Sequence, residues 1–169
     1  MDDVYIELTI NDKLIRINKN NAIDLYSWRE NKTKTPYWFK MKPTQVIHPK
    51  TGYKRYRINI NRKHYNLSRL VYKAHNNDWD ITDNSKNNLI DHININSLDN
   101  RIENLRILTN QQNRFNTKAK GYSWNKRDKK WNAQIKIGGK AKHLGVFTEE
   151  VDAHNAYLTA KEIYHKLPA

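Results

Sequence analysis

Four residues carry chemistry-bearing types at telling separations: Asp91 and His92 stand side by side, Asn104 follows the His by twelve, and Asn113 comes nine later. Hydrolysing a phosphodiester needs a base to take a proton from water and a divalent cation to neutralise charge on the phosphate and leaving oxygen. An imidazole suits the first task, and a carboxylate with an amide oxygen suits a hard cation such as Mg²⁺. Neighbouring side chains on one strand point to opposite faces. Asp91 and His92 can therefore serve one phosphate only where the strand ends in a loop or a helix packs across it. The pattern predicts such a place: a strand over 89–93, a loop over 94–103, a second strand over 105–108, and a helix from the cap candidate Thr109 through Phe115. Asn113, four residues past the cap, is early enough in that helix to approach the strand end. Asn104 is placed to hydrogen-bond backbone across the loop and hold His92 in orientation.

Composition narrows the partners. Across 169 residues there is no Cys, which removes disulfides, thiolate zinc sites and cysteine nucleophiles; no structural zinc is expected, and any metal must sit on oxygen or imidazole ligands. The hydrophobic fraction is only 37%, but five Trp, ten Tyr and three Phe can fill small cores. The formal net charge is +14 and the pI near 9.9, the balance of a protein whose partner is a polyanion. Residues 50–73 hold eight basic residues and no acid, and residues 116–145 hold nine and one. These charges are interleaved with Tyr, Trp, Asn and Gln, not set opposite a greasy helix face, which favours nucleic acid over a membrane surface. No run approaches the roughly 18 apolar residues of a membrane span, and the N-terminal Met-Asp-Asp-Val-Tyr has neither the basic nor the apolar region of a signal peptide. An intracellular, non-secreted protein without a membrane partner is expected, in cytoplasm or nucleoid, or in the nucleus of a eukaryotic host.

The remaining elements frame the candidate site. Residues 4–10 and 14–17 predict a hairpin around Asn11-Asp12-Lys13. Residues 18–45 show no clean period and predict irregular structure with one helical turn near 22–28, in which Trp28, Tyr37, Trp38 and Phe39 are packing residues. A strand over 52–60, a turn at 61–63 and a return strand at 64–66 lead into a helix marked by Leu67, Leu70, Val71 and Ala74, ending near His75. Residues 76–88 form a polar loop and 116–120 a basic linker. Strands follow over 122–125, 131–137 and 140–147; Thr148 caps a last helix over 149–164 with an apolar stripe of Ala153, Ala156, Tyr157, Ala160 and Ile163. Alternation along the middle strand turns Trp131, Ala133, Ile135 and Ile137 toward that helix and leaves Asn132, Gln134 and Lys136 outward.

The text Asp91-His92-Ile93-Asn94, Leu98-Asp99-Asn100-Arg101-Ile102-Glu103-Asn104-Leu105-Arg106 and Thr109-Asn110-Gln111-Gln112-Asn113 resembles the HNH nuclease signature of phage and intron homing endonucleases, over roughly residues 50–116. The resemblance implies that His92 is the general base, that Asp91 and Asn113 bind a single divalent metal, Mg²⁺ or Mn²⁺, and that Asn104 orients the base. Leu67-Ser68-Arg69-Leu70-Val71 resembles the family's upstream helix, where a His often precedes the Arg. Ser68 stands there instead, so no catalytic role is carried over, while Arg69 is expected to contact phosphate. Residues 121–164, through Gly121-Tyr122-Ser123-Trp124-Asn125-Lys126, Trp131-Asn132-Ala133-Gln134-Ile135 and Leu144-Gly145-Val146-Phe147-Thr148, resemble the AP-two (ethylene-response-factor-like) DNA-binding domain. That likeness implies a three-stranded sheet laid into the major groove, where Gln suits adenine and Arg or Lys suits guanine or phosphate.

Taken together, an α+β protein is expected: a ββα-metal HNH unit followed by a three-stranded antiparallel sheet packed on one helix. The expected segments are a small β-rich leader at 1–45, the nuclease module at 46–116 and the AP-two-like domain at 117–169. Expected DNA contacts are Arg69, Arg101, Arg114, Lys126, Arg127, Asn132, Gln134, Lys136, Lys142 and His143. The functional expectation is a monomer that nicks double-stranded DNA at a long, loosely read site. The alternative is a non-catalytic, sequence-specific DNA-binding protein, a transcriptional regulator built on the same scaffold. A third reading, a restriction or colicin-like nuclease, would show a short palindromic site or sequence-blind cutting.

Overall fold

Twin turns set the first half of the chain. In the computed structural model, which describes residues 4–168, Asn11 and Asp12 take φ of 49° and 58°, and Asn61 and Arg62 take 46° and 65°. Two successive left-handed residues give the tight hairpin turn that matches the twist of antiparallel strands. The two turns clasp each other, Asn61 Nδ2 donating to the Asn11 carbonyl at 2.8 Å and Asn11 Nδ2 to the Asn61 carbonyl at 3.2 Å. Residues 1–3, on which part of the N-terminal reading rests, lie outside the described residues.

Among the described residues the fold is mixed α+β, with several antiparallel sheets and three α-helices. It divides into two compact units, the first ending at Leu108 and the second beginning at Thr109. In the first unit, β1 (Tyr5–Ile10), β2 (Lys13–Asn18), β3 (Leu25–Asn31) and β4 (Lys34–Met41) form a four-stranded meander. A three-stranded sheet follows, β5 (Thr44–Ile47), β6 (Lys54–Ile60) and β7 (Lys63–Asn66), and then helix α1 (Leu67–His75). The two-stranded ladder of β8 (Leu89–His92) and β9 (Leu105–Leu108) completes the unit, with one 3-10 turn at Ile102–Asn104.

Strands β3 and β4 replace the irregular stretch and helical turn expected over 18–45. Leu25 and Ser27 are buried while Tyr26 and Trp28 face the other side, so the period of two is present. Aromatic residues on the outward positions hid it, because alternation is recognised by a polar outer face. These strands do not pack alone. Ile15, Ile17 and Leu25 share one core with Ile58, Ile60, Leu67, Leu70, Val71 and Leu105, as a four-stranded meander with one apolar face must find a partner for that face.

The second unit opens with α2 (Asn110–Asn113), a single turn where a helix through Phe115 was expected. Thr109 does cap it: its hydroxyl accepts from the Gln112 N–H at 3.2 Å, and the Gln112 side chain accepts in return from the Thr109 N–H at 2.9 Å. Strands β10 (Tyr122–Asn125), β11 (Lys130–Ile137) and β12 (Lys140–Phe147) form an antiparallel sheet in that order, and α3 (Glu150–Tyr164) packs against it. Ala133, Ile135, Ala153, Tyr157 and Ala160 are buried. Gly121 is required here: at φ +74° a Cβ would lie 1.9 Å from the Tyr157 ring. Two details depart from expectation. Glu149, not Thr148, is the N-cap of α3, with no side-chain cap bond, and Ile163 is exposed where the apolar stripe was expected. Among the described residues no helix is long and apolar enough to cross a membrane.

Candidate active site

The β8–β9 ladder places Asp91 opposite Arg106 and His92 opposite Leu105. Asp91 and His92 point to opposite faces of β8, yet both are buried, at 7% and 8% exposure. On the first face the register supplies the partner: Arg106 Nε donates to Asp91 Oδ2 at 3.0 Å. This charge-assisted bond between directly opposed residues holds the carboxylate where the strand ends.

On the second face the 93–104 loop folds back over His92. Nε2 of the imidazole meets Asn100 Oδ1 at 3.2 Å, and Asn100 Nδ2 donates to the Leu98 carbonyl, also at 3.2 Å. An amide anchored through its NH₂ presents only its oxygen to the ring, so Nε2 carries the proton and the basic lone pair of neutral His92 lies on Nδ1. Burial holds the His92 pKa below its ordinary 6.5, opposed by the Asn100 bond and by the negative charges of Asp91 and Asp99. At neutral pH the ring is therefore uncharged, the state a general base requires.

Asn104 acts on backbone, not on the ring. Its carbonyl accepts from the Ile93 N–H at 2.9 Å and its Oδ1 from the Asn94 N–H at 3.0 Å, while its Nδ2 donates to the Asp99 carbonyl at 2.7 Å. Both ends of the loop are thus stitched together beside His92. The ring's own partner, Asn100, was missed in the sequence, where it is one of many Asn in turn-forming text; burial to 4% is what distinguishes it.

The expected DNA contacts fall into different environments. Arg69 donates to the carbonyls of Ile81 at 2.7 Å, Asp83 at 2.8 Å and Asn88 at 3.1 Å, and stacks over Trp79. It is a staple for the 81–88 loop, and its donors face carbonyls where a phosphate contact was expected. Arg101 forks onto Asp99 at 2.9 and 2.8 Å and also reaches Glu103, which holds the Asp99 carboxyl down at about 2 and neutralises the guanidinium locally. In the second unit Lys126, Gln134, Lys136 and His143 are exposed, and Asn132 is half-buried. His143 pairs across the sheet with Gln134, so these two share the outer face with Asn132 and Lys136. Arg127 is exposed and bonds Asp128 at 2.9 Å. Lys142 lies opposite Ile135, on the helix side, and donates to the Tyr164 hydroxyl. Arg114 lines a cavity of about 450 Å³ with Phe115, Lys136 and His165.

Part of the basic run over 50–73 gathers into a pocket in the first unit. Arg55 and Arg57, two apart on β6, share a cavity of about 320 Å³ with Lys63 and His64 of β7, and no acidic side chain lines it. Among the described residues none of these four makes an ion pair. The signal was present as Arg at 55 and 57, one strand period apart.

The donor chemistry for a metal is hard oxygen. Among the described residues no group of three or more His, Cys, Asp or Glu side chains is arranged to hold an ion. A single carboxylate, Asp91, fits Mg²⁺ or Mn²⁺, which keep several waters and take further oxygens from amides and substrate phosphate. Asn113 lies on α2 in the second unit. Compared with models of protein families, with curated proteins and with solved structures, the chain matches none of them.

Proposed function

We propose that the protein is a site-specific DNA endonuclease of the HNH homing type, nicking double-stranded DNA with one divalent metal. The observation that carries the reading is the pairing of a buried His92, held through Nε2 by Asn100, with Asp91 beside it at the end of a two-stranded ladder. In this reading β8 and β9 are the strands and α2 the helix of a ββα-metal unit, and residues 117–169 form the AP-two-like domain.

His92 Nδ1 takes a proton from water as its oxygen bonds to phosphorus; the bond from phosphorus to the 3′ oxygen breaks, and that oxygen takes a proton from solvent. Asn100 keeps Nε2 protonated and aims the ring, while Asn104 fixes the loop on which Asn100 sits. Bound to Asp91, with Asn113 as the second oxygen donor that the family resemblance assigns, Mg²⁺ or Mn²⁺ would neutralise charge on the phosphate and leaving oxygen. Arg106 holds the Asp91 carboxylate in position for that task. The Arg55, Arg57 and Lys63 pocket and the outer face of β11 and β12 each supply positive and amide groups for a duplex. One such centre cuts one strand per engagement, so a monomer produces nicks.

The test is supercoiled plasmid carrying candidate target sequence, incubated inside parallel reactions with Mg²⁺, with EDTA and with His92→Ala. Open-circle product in the first alone supports the reading. Specific gel shifts without any cleavage would make the protein a DNA-binding regulator instead.

A further inference from the structure

Six non-glycine residues among those described have positive φ; Asn11, Asp12 and Asn61 are types that turns favour, and Arg62 and Lys129 are unbranched at Cβ. The sixth is Ile95, at φ 63°. A β-branched side chain is strained in the left-handed region, because its Cβ substituents crowd the neighbouring peptide. The surroundings force the conformation: the Ile95 N–H donates to the His92 carbonyl at 2.8 Å, Asn104 grips residues 93 and 94, and the Asn94 side chain accepts from the Asn96 N–H at 2.8 Å. Glycine or asparagine would satisfy this turn without strain. Nor does burial compensate, since Ile95 is 42% and Ile93 41% exposed. The fold holds two apolar side chains in water, one of them strained, within three residues of the candidate base.

We propose that Ile95, flanked by Ile93, is a wedge that enters a base step of duplex DNA from the minor groove beside the phosphate presented to His92. The inference rests on the nuclease reading and names how that site deforms its substrate. Apolar side chains of this kind partly unstack base pairs and kink the duplex, and the backbone bends to follow. The Ile95 N–H is bonded to the backbone carbonyl of His92, so the exposed isoleucines stand on the same tight turn as the candidate base. Duplex DNA is the occupant that the charge selects, with +14 overall and an acid-free basic run over 50–73. The rigid, strained turn keeps the wedge from folding away. Unstacking is easiest at TA and CA/TG steps, so the nick should fall next to one of these.

The experiment uses the full chain and a duplex whose nick has been mapped, with 2-aminopurine at the adjoining step. Wild-type protein should raise the 2-aminopurine fluorescence several-fold on binding. Ile95→Gly and Ile95→Asn should both melt at higher temperature than wild type, yet lose most of the fluorescence rise and nick about tenfold or more slowly. If either variant unstacks and nicks like wild type, or if both melt lower, the wedge is overturned while the nuclease reading stands. If the wild-type protein nicks no duplex, the nuclease reading fails and takes this inference with it.

Discussion

Asn100→Ala tests the arrangement around His92 most directly, because the change removes one side chain and leaves both expected catalytic groups in place. Two hydrogen bonds disappear, one to His92 Nε2 and one to the Leu98 carbonyl. At about 1 kcal/mol for each of the two neutral bonds, with roughly 1–3 kcal/mol added for a buried polar group left without a partner, the folded state should lose about 3–5 kcal/mol. If the bond of about 1 kcal/mol to Nε2 is what fixes ring orientation and tautomer, its loss lowers the nicking rate at the pH plateau roughly five- to tenfold, since 1.36 kcal/mol is a factor of ten. The pH profile supplies a second, signed readout. Neutral imidazole is the active form, so activity rises with pH through the His92 pKa, which burial already holds below 6.5. The Asn100 bond is one of the influences that raise that pKa; without it the acid limb moves to lower pH even as the plateau falls. Asn100→Asp should do the reverse, moving the limb up, because a carboxylate facing Nε2 favours the imidazolium. Single-turnover nicking from pH 5 to 8 measures both. A plateau unchanged in Asn100→Ala, or a limb that moves up, refutes the assignment of Asn100 as the residue that positions the base.

Arg106→Ala leaves Asp91 buried without its ion-pair partner, which should cost about 3–5 kcal/mol of stability; urea unfolding with unchanged slope would read it as a lowered midpoint. Arg55→Ala with Arg57→Ala should weaken duplex binding and flatten the plot of log affinity against log salt by about 1.8, two phosphate contacts at roughly 0.9 each. Arg101→Ala, whose charge Asp99 and Glu103 already neutralise, should change that slope much less, and an equal effect of the two substitutions would contradict the placement of the phosphate contacts.

Much was determined by the sequence alone. The separations of twelve and nine residues among His92, Asn104 and Asn113 are covalent facts. The strand, loop and strand around them follow from local alternation and turn-forming text, and α1 matches its period at Leu67, Leu70 and Val71. The Asn11-Asp12 and Asn61-Arg62 turns and the strands and helix of the second unit are equally local. Tertiary structure decided which polar groups meet. Asn100 and Asn104 are the same residue type in the same loop, and only the way the loop folds back assigns one to the imidazole and the other to backbone. Arg69 and Arg106 look alike as surface cations. The 81–88 loop wraps the first with carbonyls, and the ladder register sets the second against Asp91. Residues 18–45 gave little away because aromatics on their outer positions mask the alternation, and only a shared core with Ile58, Leu67 and Leu105 reveals what their inner face is for. Periodicity reports which face a side chain takes; which partner waits there depends on segments far apart in sequence, and that is fixed only when the chain closes on itself.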